Sequence, residues 1–323
     1  MKKITLIIIT AMILASCNRK YELYTYDGDT TIVYSVLEVN ADTNFFRITK
    51  SSLVNELSYK YDEIDVKFAG LFKDGNKIDT VTLDTVSKMQ DGQLLTLYFT
   101  TKKLLEGEEY NFLVFRKADG VTVSAKVKTI CHFEFEKPKA NSYIDFKSNM
   151  LKTIEWKGSD LTTNHRINAG YFEVTTFFHY RELMPGATDT VERSMEWKIG
   201  SEQAQKMFNT MDNYYFINYT PSTFFAMLEK DEYLKNNSPL GVQRWLKAFE
   251  VKISVTGEEL YYYNVANSPG NTNQDFPNYT NINNGIGMIS SCSTKSTFHI
   301  IEQLCRKRIA EDYLYGFYYD PNL

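Results

Sequence analysis

The chain is short of the residues that most often announce chemistry. In 323 residues it holds 4 cysteines, 4 histidines and 7 prolines. No two cysteines form a CxxC pair, which excludes a zinc knuckle and a thioredoxin-like redox site. His132, His165, His179 and His299 never fall three or four residues apart, so the helical metal pair and the HExxH site are missing too. There is no GxSxG elbow and no GxxxxGKS/T phosphate loop. Gly285-Ile286-Gly287 lacks the third glycine and the strand-helix setting of a dinucleotide loop, and reads as a tight turn entering Met288-Ile289. Basic and acidic residues number 36 and 40, for a net charge of -4, which gives no electrostatic footprint for nucleic acid. Long apolar runs are absent beyond Ile4 to Leu14. At a rise of about 1.5 Å per residue, that stretch covers roughly half of a ~30 Å hydrocarbon core and is no transmembrane anchor.

What does stand at the start is ordered. Lys2 and Lys3 precede the apolar stretch, and Leu14-Ala15-Ser16-Cys17 closes it. The Leu-Ala-Ser-Cys sequence resembles the lipobox read by lipoprotein signal peptidase. It implies a signal peptide over 1–16, cleavage between Ser16 and Cys17, and a diacylglyceryl thioether on Cys17. The expectation is a mature chain tethered to a membrane by its lipid through residues 17–29, more than one acyl chain being needed for stable attachment. Losing Lys2 and Lys3 leaves that mature chain more acidic still. Asn18-Arg19-Lys20-Tyr21-Glu22 contains no compact acidic run of the kind that marks surface export in some outer-membrane lipoproteins, which leans toward the periplasmic face. Asp27-Gly28-Asp29 lacks the further oxygen ligands of a calcium loop and reads as a solvated turn. Of the remaining cysteines, Cys292 and Cys305 are the most local candidates for a disulfide; three buried free thiols including Cys131 are the alternative.

Aromatic residues are plentiful, with 23 Tyr and 21 Phe. Residues 30–132 show short alternating runs between turn residues: Thr31 to Glu38, Asn44 to Thr49, Ile64 to Phe72 with Ile64, Val66 and Phe68 on one face, and Gln93 to Thr100. Asp74-Gly75-Asn76 and Asp91-Gly92 supply hairpin turns. This predicts an antiparallel, immunoglobulin-like β-sandwich. Leu105 and Gly107 ahead of Tyr110 resemble the tyrosine corner of such domains, in which the Tyr hydroxyl bonds back to the backbone. A second, β-rich domain is expected over 133–323. Leu151 to Lys157, Gly170 to Tyr180, Val191 to Ile199 and Ala248 to Val255 look extended. A helical insertion is expected at about 201–235, with Thr220 as N-cap and Pro221 at the first helical position. Glu258 to Val265 reads as a short helix. Residues 266–287 form a long loop rich in Asn, Gly and Pro, of a length usually functional or disordered.

Candidate contact residues come from the aromatic clusters: Tyr214 and Tyr215, Tyr261 and Tyr263, with Tyr279 in the long loop. They suit stacking on sugar rings or packing a partner surface, against the commoner use of aromatics in cores. Thr80, Thr85 and Thr190 each sit in Asp-Thr-Val, which resembles the acceptor of the O-glycosylation system of exported Bacteroidota proteins; strand propensity alone explains such triplets equally well. No catalytic residue, metal or cofactor is implied.

Several segments together resemble a family of Bacteroidota lipoproteins, domain of unknown function family 4249. They are Val33 to Leu37, Phe45 to Lys50, Leu105 to Tyr110 with Val123-Ser124-Ala125, Glu155-Trp156, Gly257 to Tyr263, and Pro277 to Gly287. The resemblance covers nearly the whole mature chain, with a departure at Ser290-Ser291-Cys292. It implies a non-enzymatic lipoprotein of the outer membrane, acting beside a TonB-dependent receptor on an unidentified ligand. Two alternatives stay open: a fimbrillin-like structural subunit, matured after Arg19 or Arg47, and an envelope hydrolase built on an unrecognised carboxylate pair.

Overall fold

A computed structural model describes residues 30–50, 64–71, 78–90, 93–144, 146, 150–158, 167–238, 241–267, 279–313 and 315–319. Cys17, Ser16, the tether, His165 and the turns at 74–76 and 91–92 lie outside them. The first half supplies β1 (Thr31–Glu38), β2 (Asn44–Lys50), β3 (Ile64–Leu71), β4 (Ile78–Val81), β5 (Asp84–Gln90), β6 (Gln93–Thr100), β7 (Glu109–Arg116) and β8 (Thr122–Lys128). The second half begins with β9 (Phe133–Lys137), β10 (Tyr143–Ile144), β11 (Lys152–Gly158), β12 (Tyr171–Leu183) and β13 (Val191–Gln203). There follow α1 (Ala204–Met207), β14 (Phe208–Asn209), β15 (Tyr214–Tyr219), α2 (Ser222–Lys230), α3 (Glu232–Asn237) and β16 (Gln243–Thr256). The last elements are α4 (Glu258–Ala266), β17 (Ile286–Ile301), α5 (Gln303–Asp312) and β18 (Phe317–Tyr318).

Alternation decides the first sandwich. Val33, Ser35 and Leu37 of β1 point inward while the residues between them do not, as the two-residue period of a strand requires. Strands run β1-β2-β6-β5 in one layer and β4-β3-β7-β8 in the other, the ABED and CFG order of an immunoglobulin sandwich with one added strand beside C. Between the layers Phe46 stacks on Phe112 at 5.0 Å, and Phe68 stacks on Tyr110 at 5.1 Å. Tyr110 opens β7, the F position, and its hydroxyl accepts a hydrogen bond from the Leu105 amide at 2.9 Å. The predicted corner is therefore present. The chain changes layer between β4 and β5.

The second unit is also two-layered. β13-β12-β16-β17 faces β14-β15-β11-β9 across Trp156, Phe172 and Tyr215, while Phe146, Phe178, Phe224 and Phe249 fill the end closed by α2. Each fully buried ring contributes on the order of 2–3 kcal/mol by leaving water. Beside this core lies a buried ion pair. Arg244 Nε and Nη2 both stand 2.9 Å from Glu182 Oε2, with both side chains fully enclosed. Arg193 and Tyr233 contact Glu182 Oε1, and Ser238 and the Tyr315 carbonyl contact Arg244 Nη1. Burial pushes the neighbouring Tyr180 hydroxyl up to about 12.

One strand belongs to both units. The first part of β17 pairs in parallel with β1, from Ile286 opposite Ile32 to Cys292 opposite Glu38, and its later part pairs antiparallel with β16 from Cys292 to His299. A single sheet thus runs β13-β12-β16-β17-β1-β2-β6-β5 through the molecule. Ile282 and Ile289 lie in the first core although they come from the far end of the sequence. Gly287 makes the parallel pairing possible, since it sits at φ +112° and a Cβ there would lie 2.0 Å from the Val33 carbonyl oxygen.

Two expectations need correction here. The helix expected from Ser201 is reduced to α1, because β13 keeps pairing with β12 as far as Gln203 opposite Tyr171. The Cys292–Cys305 disulfide is not formed: all three described cysteines are free. Cys292 lies mid-strand in β17 and Cys305 follows in α5, so the remaining strand, at about 3.3 Å per residue, holds them roughly 30 Å apart, far beyond disulfide reach.

Candidate functional site

Among the described helices, α4 alone has no buried residue, although it carries Leu260, Tyr261, Tyr262, Tyr263 and Val265. Its sequence has no apolar stripe at helical period, so packing does not hold it. Polar contacts do. Glu258 and Glu259 oppose the positive end of the helix dipole. The Gly257 amide donates to the Ser291 carbonyl at 2.8 Å, the Leu260 amide to Ser290 Oγ at 3.3 Å, and Ser290 Oγ to Glu259 Oε2 at 3.0 Å. Gly170 lets the start of β12 come close beneath: a Cβ there would lie 2.6 Å from the Glu258 Cα.

Ser290-Ser291-Cys292 lies in β17 beside the start of α4. Ser290 ties α4 to the sheet, Ser291 Oγ donates to the Lys128 carbonyl of β8 at 2.8 Å, and the Cys292 thiol donates to Glu38 Oε2 at 3.2 Å. Three short polar side chains link the helix and both sandwiches. Burial, reinforced by the Glu38 charge, raises the Cys292 thiol far above its ordinary range, which favours its protonated form.

Beside α4 opens a groove of about 610 Å³ lined by Tyr171, Glu173, Ser254, Thr256, Tyr261, Asn264 and Val265. Tyr171 faces Thr256 and Glu173 faces Ser254 across the β12–β16 ladder, which puts these four on one face of the sheet. The Tyr171 and Tyr261 rings stack at 5.9 Å with 19° between planes. Tyr262 meets Tyr261 edge-on at 5.5 Å and lies 5.9 Å from Tyr279. Burial, then the nearby Glu259, pushes the Tyr279 hydroxyl upward. A smaller recess of about 390 Å³, including Asn168, Gln205, Tyr215 and Glu258, adjoins the other side of the α4 start.

The predicted tyrosines divide. Tyr261 and Tyr279 belong to this surface, along with Tyr262, which is 49 % exposed. Tyr263 turns to the opposite side, edge-on to Tyr34 of β1 at 5.8 Å. Tyr215 is corrected to a core residue: it is 3 % exposed, packs on Phe172 at 4.8 Å, and accepts a hydrogen bond from the Ile167 amide at 3.1 Å, reaching only the wall of the smaller recess. Its neighbour Tyr214 is half-buried against Phe216, away from the groove. Tyr171 was missed by sequence reasoning, although its place at the head of the aromatic strand Tyr171-Phe172 and beside Gly170 was a usable signal.

Thr85 and Thr190 are exposed, in β5 and at the turn before β13; Thr80 lies in β4 opposite Ala69. The described histidines have local partners. His132 Nε2 lies 3.4 Å from Glu134 and its Nδ1 3.1 Å from Lys295 Nζ, His179 pairs with Glu250 at 2.9 Å, and His299 lies 3.3 Å from Ser142 Oγ. Among the described residues no cluster of three metal-ligating side chains occurs. No helix among them is long and apolar enough to cross a membrane.

Comparisons with protein-family models and with curated proteins give no match. Among solved structures, the chain is similar to a chimeric titin Z1Z2 carrying a KLER peptide from decorin, at 10 % identity over 85 % of this chain and 98 % of that one, with a TM-score of 0.16. A three-immunoglobulin-domain titin fragment aligns at 9 % identity over 85 % of this chain and 65 % of that one, with a TM-score of 0.21. Likenesses at those TM-scores carry no functional inference. The chain is a mainly β protein with an immunoglobulin-type sandwich on the strength of its strand order and its Tyr110 corner.

Proposed function

We propose that this chain is a lipid-anchored outer-membrane protein, held through Cys17, that serves a TonB-dependent receptor as a non-enzymatic, ligand-handling accessory. The observation that carries the reading is the exposed tyrosine helix α4 standing over the Tyr171–Tyr261 groove. Half-exposed tyrosines combine a large apolar face with a polar tip, the composition favoured at contact surfaces. The Leu-Ala-Ser-Cys sequence and the resemblance to the Bacteroidota lipoprotein family supply the anchor and the receptor in this proposal. The structural-subunit alternative is disfavoured by Arg47, which lies inside β2 between β1 and β6, so that cleavage after it would cut a central strand of the first sandwich.

The test is capture of the full lipidated protein from solubilised outer membranes under mild detergent. Reproducible recovery of a TonB-dependent receptor is expected. Its reproducible absence would overturn the receptor role.

A further inference from the structure

We propose that the Tyr171–Tyr261 groove takes an uncharged sugar ring of an oligosaccharide, an inference that deepens the ligand-handling reading above. Three observations carry it. First, a volume of about 610 Å³ falls in the range of small-molecule sites. Second, the two tyrosine rings are stacked, at 19° and 5.9 Å, so that each holds the other in orientation and the pair offers an outer ring face and not a cage. An aromatic cage for a cation needs rings facing it from several sides; a single platform suits the flat, C–H-lined face of a pyranose. Third, the rest of the lining, Val265 apart, consists of hydrogen-bonding groups. Ser254, Thr256 and Asn264 offer neutral donors and acceptors, and Glu173 an acceptor pair.

These groups are largely unengaged. Among the described residues the Ser254 hydroxyl and the Asn264 amide bond to no protein group, Glu173 receives only a long 3.4 Å contact from Thr175, and Thr256 Oγ1 makes only a long 3.5 Å bond to the Tyr171 carbonyl, which leaves its oxygen able to accept. No lysine or arginine lines the groove, and Glu258 and Glu259 stand at the start of α4. An anionic ligand would meet negative charge without a counter-ion. Hydroxyl groups of a neutral sugar instead match a carboxylate, two hydroxyls and an amide.

The experiment uses the full mature chain in detergent against an array of gluco-, xylo-, manno- and N-acetylglucosamine oligosaccharides of two to six units, followed by calorimetry on the best binder. Saturable binding of at least one is expected. Tyr171→Ala and Tyr261→Ala should each weaken it roughly five- to tenfold, the size of a lost aromatic contact. Tyr171→Phe, which keeps the platform, should bind within about twofold of wild type. Glu173→Gln should weaken binding without moving the unfolding midpoint, and Tyr214→Ala should leave it unchanged. Binding to none of these sugars, binding confined to sulfated or uronate-containing chains or to tetramethylammonium, or neutral-sugar binding that survives both alanine variants would overturn the assignment. Receptor capture without sugar binding would remove this inference and leave the accessory role standing; sugar binding without a receptor would do the reverse.

Discussion

The hydroxyl of Tyr110 closes the corner of the first sandwich by accepting from the Leu105 amide. Tyr110→Phe keeps the ring against Phe68 and removes that bond, so urea unfolding should show a loss of about 1 kcal/mol. The sequence carried this signal openly, because leucine, glycine and tyrosine at that spacing stand just before a strand. Gly287 is the opposite case. It was read as a turn glycine, but its role comes from a strand distant in sequence, whose Val33 carbonyl leaves no room for a Cβ. Gly287→Ala should destabilise by roughly 2–4 kcal/mol in the same assay. His299 gives a pH dependence. It is 2 % exposed, and burial lowers its pKa to about 4 from an ordinary value near 6.5. Between those values the unfolded chain binds a proton that the folded chain refuses, so stability is full above about pH 6.5 and declines as the pH falls toward 4. The contribution is on the order of 3 kcal/mol at the acid end. In His299→Leu that part of the acid loss should vanish; an unchanged slope between pH 6.5 and 4 would contradict the assignment.

Among the elements, α4 was legible and its setting was not. The sequence predicts a helix over Glu258 to Val265, and the helix spans Glu258–Ala266. Its tyrosines could not be divided in advance because the helix has no apolar stripe; the division follows from Gly170 below and Ser290 beside it, both remote in sequence. Gly170→Val should shift α4 outward, since its Cβ would fall within 2.6 Å of Glu258, and should thereby abolish groove binding while costing roughly 1–3 kcal/mol of stability. Hydrogen exchange of the α4 amides would report the shift. Helix α5 went unforeseen. Its buried face holds only Cys305, Arg306 and Ile309 among charged residues, too little periodicity to announce a helix, although Glu302 caps the Leu304 and Cys305 amides.

At the scale of the whole molecule, the chain reads as two successive β units and folds as two units sharing one sheet. The parallel pairing of β1 with β17 joins the first described strand to one of the last, and nothing in local hydrophobic period encodes such a partner. Its consequence is cooperativity. All three tryptophans, Trp156, Trp197 and Trp245, lie in the second unit, so their fluorescence reports that unit while far-UV circular dichroism reports both. The two signals should give one coincident unfolding transition. A fragment of residues 30–132 alone would leave the β1 edge bare and lack Ile282 and Ile289 from its core, and should unfold at a lower urea concentration than the intact chain.

The proposed accessory role is tested most directly by site-specific photocrosslinking in the producing cell, with the probe on α4, the exposed face on which that proposal rests. With Tyr262 replaced by p-benzoylphenylalanine on that face, irradiation should yield a single crosslinked product containing a TonB-dependent receptor. The same probe in place of Met211, which is 91 % exposed at the turn between β14 and β15, should yield none. Crosslinking of the receptor from position 211 but not 262, or from neither, would contradict the account.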